Sequence, residues 1–236
     1  MKINGIETAV DIEGSGDCVV LLHGWGQNRY MMQAIACHLK DRYQVINLDL
    51  PGFGDSELPQ VPWSTEDYAD FVYDLVQQFH SENVILIAHS FGARIAFRYA
   101  LKYPLKRMIL TGAAGVRKPR GLSYYAKVYS YKIRRKLHLN PGKGSPDYEN
   151  ASSVLRSILV KAVNEDIRTL LPAIDTDTLL VFGELDEETP LWMGELMEKE
   201  MPNAVLITLR QDDHFAYYHQ IERFLRIIDA YLEGSR

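Results

Sequence analysis

The sequence has few cysteines, no long apolar run and no large excess of charge of either sign. Only two of its 236 residues are cysteines, and neither stands in a CxxC or His/Cys pattern. We therefore predict no metal site and two small buried thiols, with a disulfide as the less favoured alternative.

No run reaches the roughly 18 apolar residues of a membrane span. The first residues, MKINGIETAVDIEG, lack the apolar segment and cleavage site of a signal peptide. The net charge of −5 argues against nucleic-acid binding. We expect a protein of the reducing cytoplasm.

Six short runs rich in Val, Ile and Leu are typical of strands that are buried on both faces of a sheet. They cover residues 18–24, 43–50, 83–90, 107–113, 178–184 and 204–209. Helical patterns, with apolar residues three and four positions apart, lie between them at residues 30–40, 65–79, 91–101, 190–200 and 215–233. This alternation predicts an α/β fold with a mostly parallel central sheet flanked by helices. In such sheets the chemistry gathers at the carboxyl ends of the strands.

One segment interrupts the alternation of strands and helices. Residues 115–172 contain no convincing strand pattern but carry at least two helical ones. We predict a core domain formed by residues 1–114 and 173–236. Residues 115–172 form a predicted helical cap, inserted before the last two strands.

A basic segment lies within the predicted cap. Residues 117–143 hold nine Lys or Arg side chains and no acid, mixed with tyrosines. We interpret the segment as a solvated helix face whose apolar stripe packs inward (Leu122, Ala126, Tyr129, Ile133 and Leu137). The alternatives are that it attracts anionic substrates or cofactor-linked acyl groups, or that it contacts an anionic membrane surface, which we favour least.

The stretch VILIAHSFGARIAFRYA brings a lone serine, Ser90, to the junction of a predicted strand and a predicted helix. A tight turn there requires an unfavourable backbone conformation and leaves the hydroxyl in the open. The small residues Ala88 and Gly92 leave room for it. The start of the following helix favours negative charge where an acyl-transfer oxyanion would form. The residues alone allow two interpretations: Ser90 is a nucleophile, or it caps the helix that begins at Phe91.

A serine nucleophile needs a base and an acid that orients the base. Of the seven histidines, His214 stands in LRQDDHFAYY, between the last predicted strand and the last predicted helix. This position favours a base over a polar surface residue. For the acid we favour Asp186, in the loop VFGELDEETP at another strand end. Its competitors are other acids of the two loops, namely Glu184, Glu187, Glu188, Asp212 and Asp213.

Together these residues resemble the α/β-hydrolase fold family. AHSFG is similar to the family's G-x-S-x-G nucleophile elbow, with Ala88 in place of the first glycine. The chain order Ser90, Asp186, His214 matches the family's order of nucleophile, acid and base. HGWGQN, DLPGFGDS and GELDEETP are similar to further loops of the same branch.

The resemblance implies the remaining parts of a site. The chain has no HGGG run, so the backbone N–H groups of Trp25 and Phe91 are implied as the oxyanion hole. His23, in the HG pair, is expected to be structural. Aromatic residues facing Ser90 beneath the cap would bound an apolar pocket. The candidates are Trp63, Phe91, Tyr129 and Trp192, each of which is as readily a core residue.

The predicted function is a serine hydrolase that cleaves small or medium carboxylic esters through an acyl-enzyme, with no metal or organic cofactor. Other enzymatic alternatives use the same triad: cleavage of a carbon–carbon bond, a lactone or a thioester, or an elimination. An alternative of a different class is a non-catalytic ligand-binding protein on this fold. The oligomeric state is not predicted.

Overall fold

The structure is a computed structural model that describes residues 1–81, 83–119, 121, 130, 133–134, 147–148 and 151–234. The described residues form the strands β1 (Lys2–Ile3), β2 (Ile6–Glu7), β3 (Val10–Glu13), β4 (Cys18–Leu22), β5 (Gln44–Leu48), β6 (Val84–His89), β7 (Arg107–Thr111), β8 (Asp177–Gly183) and β9 (Ala204–Leu209). Their α-helices are α1 (Gln33–Leu39), α2 (Thr65–Gln77), α3 (Phe91–Lys102), α4 (Ser153–Asn164), α5 (Leu191–Glu200), α6 (Ala216–His219) and α7 (Ile221–Glu233). Short 3₁₀ turns occupy Arg29–Met32 and Leu171–Ala173. None of the described helices combines the length and the apolarity that crossing a membrane requires.

Seven of the strands form one sheet in the order β3-β5-β4-β6-β7-β8-β9. β3 is antiparallel to its neighbour, and the other pairs are parallel. β1 and β2 form a separate antiparallel pair. The mostly parallel sheet with flanking helices confirms the predicted fold class.

The central strands of the sheet are buried on both faces, which explains why their sequences are continuous apolar runs. In β4, Cys18, Val20 and Leu22 belong to the core on the side of α2, α3 and α5. Val19 and Leu21 belong to the core on the side of α1 and α7. All five side chains are fully buried, as the period of two along a strand requires.

The six predicted strands are present as β4 to β9, but the short pair β1 and β2 was missed and, in the main sheet, so was β3. Its four residues are exposed or half-buried and include Asp11 and Glu13, because it lies at the edge of the sheet and meets solvent. The helix predicted over residues 215–233 is two helices, interrupted at Gln220, where φ is −106° and ψ is 44°.

The prediction of two buried thiols is half wrong. Cys18 is buried in β4, whereas Cys37 is exposed, and both are free cysteines. Cys37 lies on α1 next in sequence to the buried Ala36. An amphipathic helix has one face in solvent, and Cys37 stands on it.

Between β7 and β8 the described residues form α4 and the second 3₁₀ turn, and include no strand. The division into a core and a cap stays a prediction, since most of residues 120–150 lie outside the described residues. Of the apolar stripe expected to pack inward, Ile133 is exposed, and its other members, Tyr129 included, lie outside the described residues.

The strand order places a crevice at the centre of the sheet. From β4 the chain continues on one side to β5 and then returns to the other side at β6. Ligands of open α/β sheets bind at such a switch point, outside the carboxyl ends of the strands. Trp25 follows β4 and Ser90 follows β6, while Asp186 follows β8 and His214 follows β9.

Candidate active site

Ser90 occupies the turn between β6 and α3 in a strained conformation, with φ 50° and ψ −105°. This region is rarely populated by residues other than glycine. The end of β7 and the first turn of α3 hold it: Ser90 N donates to Thr111 O at 3.1 Å, and Ser90 O accepts from Ala114 N at 3.3 Å and from Ala93 N at 3.1 Å. The hydroxyl makes no capping hydrogen bond, so the interpretation of Ser90 as a side-chain helix cap is not supported.

Gly92 allows α3 to approach the end of β4. A Cβ atom at this position would lie 2.4 Å from Leu22 O and 2.9 Å from Leu22 Cβ, which is closer than van der Waals contact permits. Because Gly92 has no side chain, the N-terminus of α3 can come close to the end of β4 and to the loop that follows it.

His214 and Asp186 form a hydrogen-bonded pair across the ends of β8 and β9. His214 Nδ1 lies 2.7 Å from Asp186 Oδ2, and the carboxylate is fully buried. Asp186 Oδ1 accepts from the backbone N–H groups of Glu188 and Thr189, both at 2.8 Å. The Thr189 hydroxyl donates to Asp186 Oδ2 at 2.8 Å and lies 3.2 Å from His214 Nδ1.

These contacts determine the charge of the acid and the tautomer of the base. Burial by itself raises the pKa of Asp186, but the hydrogen bonds from His214 and Thr189 outweigh it and hold that pKa below its usual value. A carboxylate acceptor keeps the proton of the neutral imidazole on Nδ1. Nε2 of His214 is then left with its lone pair, as a general base requires.

None of the competing acids of the two loops, which all lie in the described part of the chain, hydrogen-bonds to His214. Asp212 accepts from His219 Nδ1 at 2.8 Å and from Gln220 Nε2 at 3.0 Å. Asp213 Oδ1 accepts from Phe215 N at 2.8 Å. Of the remaining acids, Glu184 accepts from a backbone N–H group, and Glu187 and Glu188 are exposed.

Ser90 and His214 line the same cavity, whose volume is about 710 Å³. Trp25 and Phe91, the residues implied for the oxyanion hole, line it as well. Among the described residues no hydrogen bond joins the Ser90 hydroxyl to His214. Hydrogen bonds between nucleophile and base often tighten only in the complex with substrate, so both side chains remain candidates.

The backbone N–H groups of Trp25 and Phe91 donate to no described residue. The loop that carries Trp25 is held by Gln27, whose Oε1 accepts from Gly24 N at 3.0 Å. The rings of Trp25 and Phe91 pack edge to face at 5.2 Å, and Phe53 contacts both rings. Aromatic packing thus fixes two residues whose backbone N–H groups have no described acceptor, and both residues line the cavity with Ser90.

Two histidines are fully buried behind this edge of the sheet. His23 Nδ1 lies 2.8 Å from Gly24 O, and its Nε2 accepts from Leu50 N at 3.0 Å. Burial lowers the pKa of His23 to about 4, so the ring is neutral, in agreement with its expected structural role. His89 packs 4.7 Å from the His214 ring, and burial lowers the pKa of His89 to about 3.

Of the predicted pocket residues, Phe91 lines the cavity, whereas Trp63 and Trp192 are not among the described residues that do. Trp63 packs on the rings of Tyr68 and Phe71 at 5.0 and 5.5 Å. Trp192 is exposed on α5. Tyr129 lies outside the described residues.

Sequence reasoning missed two residues at this site. Thr189 contacts both members of the His–Asp pair, and Arg94 lines the cavity from α3. The position of Thr189, three residues after Asp186 in the same tight loop, is a signal that points to the former. A charged residue four positions after Ser90, between the apolar residues Ala93 and Ile95, is the corresponding signal for Arg94.

The fold and the site define a class: an α/β protein with a strained serine at a strand–helix turn and a His–Asp pair at neighbouring strand ends. Comparison with known families agrees with that class. The profile of the alpha/beta hydrolase family matches residues 19–227, most of the chain. The chain belongs to the α/β-hydrolase family.

Individual relatives match the chain over different extents. The "Uncharacterized protein Mb2734" of Mycobacterium bovis is 35% identical over 118 residues, which are 49% of this chain and 35% of that protein. The pimeloyl-[acyl-carrier protein] methyl ester esterase of Aeromonas hydrophila is 36% identical over 104 residues, 42% of this chain and 38% of that protein. The matched region thus spans less than two fifths of either relative. An esterase structure from Exiguobacterium antarcticum is similar over 98% of this chain and 97% of its own, with a TM-score of 0.80 at 26% identity.

Proposed function

We propose that this chain is a serine hydrolase that cleaves small or medium carboxylic esters through an acyl-enzyme. Ser90 is the nucleophile, His214 the general base and Asp186 the acid that orients it. The backbone N–H groups of Trp25 and Phe91 hold the oxyanion.

The reaction follows from the roles of these groups. The Ser90 oxygen attacks the ester carbonyl carbon while His214 Nε2 takes the hydroxyl proton. The tetrahedral intermediate collapses, the bond to the alcohol breaks, and His214 returns the proton to the leaving alcohol. Water, deprotonated by the same imidazole, then attacks the acyl-enzyme and releases the acid and the free serine. Asp186 stabilises the imidazolium in both steps.

The observation that carries the proposal is the buried His214–Asp186 pair, with Nε2 as the free ring nitrogen, beside the same cavity as Ser90. A binding protein has no need of a base with a buried orienting acid. Two similar proteins, one named a methyl ester esterase and the other an esterase, also support ester cleavage.

We extend the proposal to the cap. Residues 115–172 form a helical cap over the strand ends, and α4 is part of it. Three α4 residues, Leu159, Ala162 and Val163, line the cavity together with Ser90. Apolar side chains in that position favour an uncharged acyl chain next to the reacting carbonyl.

The first test is covalent labelling with a fluorophosphonate. A separate, unlabelled sample receives a 4-nitrophenyl ester, and its intact mass shows whether an acyl-enzyme forms. We expect one phosphonate per chain on wild-type protein and none on Ser90→Ala. A panel of esters, lactones and acyl-CoA thioesters then separates ester cleavage from the alternative reactions. Folded wild-type protein that resists every fluorophosphonate would instead favour the ligand-binding alternative.

The chain offers a matched control for the base. His219 bonds to Asp212 at 2.8 Å through Nδ1, as His214 does to Asp186, but His219 does not line the cavity. His214→Gln should lower kcat at least about 100-fold, whereas His219→Gln should leave it within about twofold. Equal losses in both variants would show that neither histidine acts as the base.

A further inference from the structure

Arg94 places a buried positive charge at the wall of the cavity. It lies on α3, is 9% exposed, and lines the same cavity as Ser90. The other Arg, Lys, Asp and Glu residues that line the cavity within the described part of the chain are exposed or half-exposed (Arg117, Lys118, Asp147 and Glu188). A charge in the buried wall acts on a bound group more strongly than charges in solvent.

The protein neutralises this charge only in part. Arg94 Nη1 lies 3.7 Å from Glu165 Oε2 and 3.4 Å from Glu165 O. The other carboxylate oxygen, Oε1, accepts from Arg98 and from the Thr65 hydroxyl, each at 2.7 Å. One carboxylate therefore serves two guanidinium groups, and one positive charge is left over.

Two donor atoms of Arg94 remain available. Nε and Nη2 hydrogen-bond to no described residue, and neither is among the side-chain atoms that are both sealed from solvent and unpaired. Burial lowers the pKa of Arg94, although Glu165 and Asp166 act in the opposite direction. The fork of a guanidinium matches the geometry of a carboxylate, and a bound carboxylate would supply the missing partner.

We propose that Arg94 binds a carboxylate of the substrate, so that the preferred esters carry a free carboxylate in the same molecule. This inference rests on the proposed ester hydrolysis at Ser90. Arg94 stands four positions after Ser90, a rise of about 6 Å along the helix axis. That spacing suits the half-esters of short dicarboxylic acids, in which an apolar chain separates the ester from the charge.

The test compares kcat/KM for matched pairs of ethyl esters: monoethyl succinate with ethyl butyrate, monoethyl glutarate with ethyl valerate, and monoethyl adipate with ethyl hexanoate. A second arm, 4-acetoxybenzoate against phenyl acetate, places the carboxylate in the alcohol part. Wild-type enzyme should prefer the charged member in at least one pair. Arg94→Gln should lower that preference about 10- to 100-fold, as loss of a hydrogen bond to a charged group does. Arg94→Lys should restore part of it.

Arg98→Gln is the matched control, because Arg98 shares Glu165 with Arg94 but does not line the cavity. It should keep the wild-type preference. A preference that falls equally in Arg98→Gln and Arg94→Gln overturns the proposal, since the effect would then pass through Glu165. If the Arg94 variants do not fold, wild-type enzyme still decides. Valerate should inhibit the hydrolysis of 4-nitrophenyl acetate at least about tenfold more strongly than valeramide, its uncharged isostere.

The outcomes separate this inference from the proposed function. Wild-type enzyme that cleaves charged and neutral esters equally, with equal inhibition by valerate and valeramide, overturns the role of Arg94 and leaves the proposed function intact. Wild-type enzyme that cleaves neither class and resists fluorophosphonates overturns both.

Discussion

Replacing Asp186 with asparagine tests how the tautomer of His214 is maintained. Asp186 accepts four hydrogen bonds: two backbone N–H groups bond to Oδ1, and the Thr189 hydroxyl and His214 Nδ1 bond to Oδ2. An asparagine offers one oxygen and one NH₂ group at these two places. If its oxygen faces the backbone N–H groups, its NH₂ faces His214 Nδ1. The proton of the imidazole must then move to Nε2, which can no longer accept the proton of Ser90.

The opposite orientation of the amide keeps the tautomer but has its own cost. Its NH₂ group then faces the N–H groups of Glu188 and Thr189, which lose their acceptor at about 1–3 kcal/mol each. That cost lowers the population of the orientation that keeps the active tautomer. The imidazolium formed during reaction also loses a charge-assisted hydrogen bond of about 1.5–3 kcal/mol. Together the lower limits amount to at least about 3.5 kcal/mol, or a loss of at least about 300-fold in kcat.

The assay is kcat on an ester that wild-type enzyme hydrolyses, with circular dichroism to verify the fold. Asp212→Asn is the control, because Asp212 holds His219 in a similar pair away from the cavity. It should retain kcat within about twofold. A folded Asp186→Asn enzyme within tenfold of wild type would refute the reasoning about the tautomer.

Three further predictions concern stability. Between pH 7 and pH 5 the unfolded chain, with histidine pKa values near 6.5, binds more protons than the fold, where the pKa of His23 is about 4 and that of His89 about 3. Each of the two histidines should therefore lower the free energy of unfolding by about 2 kcal/mol when the pH is lowered from 7 to 5. Urea midpoints that stay constant over this window would contradict the prediction. Gly92→Ala places a Cβ 2.4 Å from Leu22 O and should destabilise by at least about 2 kcal/mol; an unchanged melting temperature would disprove the clash. Ser64→Ala removes the capping box of α2 and should destabilise by about 1 kcal/mol, so a denaturant midpoint equal to wild type would exclude that role.

Where a structural property depends on nearby residues, the sequence predicted it well. β4 to β8 were predicted because strands buried on both faces need apolar side chains at every position, and β9 because it keeps an apolar run although it lies at an edge of the sheet. The start of α2 agrees with the helical pattern predicted from residue 65, and Ser64 caps that start within one turn. β3 was missed because, only four residues long, it alternates Asp11 and Glu13 with apolar residues and so carries no apolar run.

The sequence by itself determined the class of fold, the turn that carries Ser90 and the order of the candidate residues along the chain. The tertiary structure decided which acid bonds to His214, because Asp186, Asp212 and their neighbours are chemically alike and differ only in what surrounds them. It also decided that Trp63 packs in the core while Arg94 lines the cavity. Those outcomes depend on contacts between distant segments. The burial of a side chain and the neutralisation of its charge are set by residues from those segments, so no local pattern of residues predicts them.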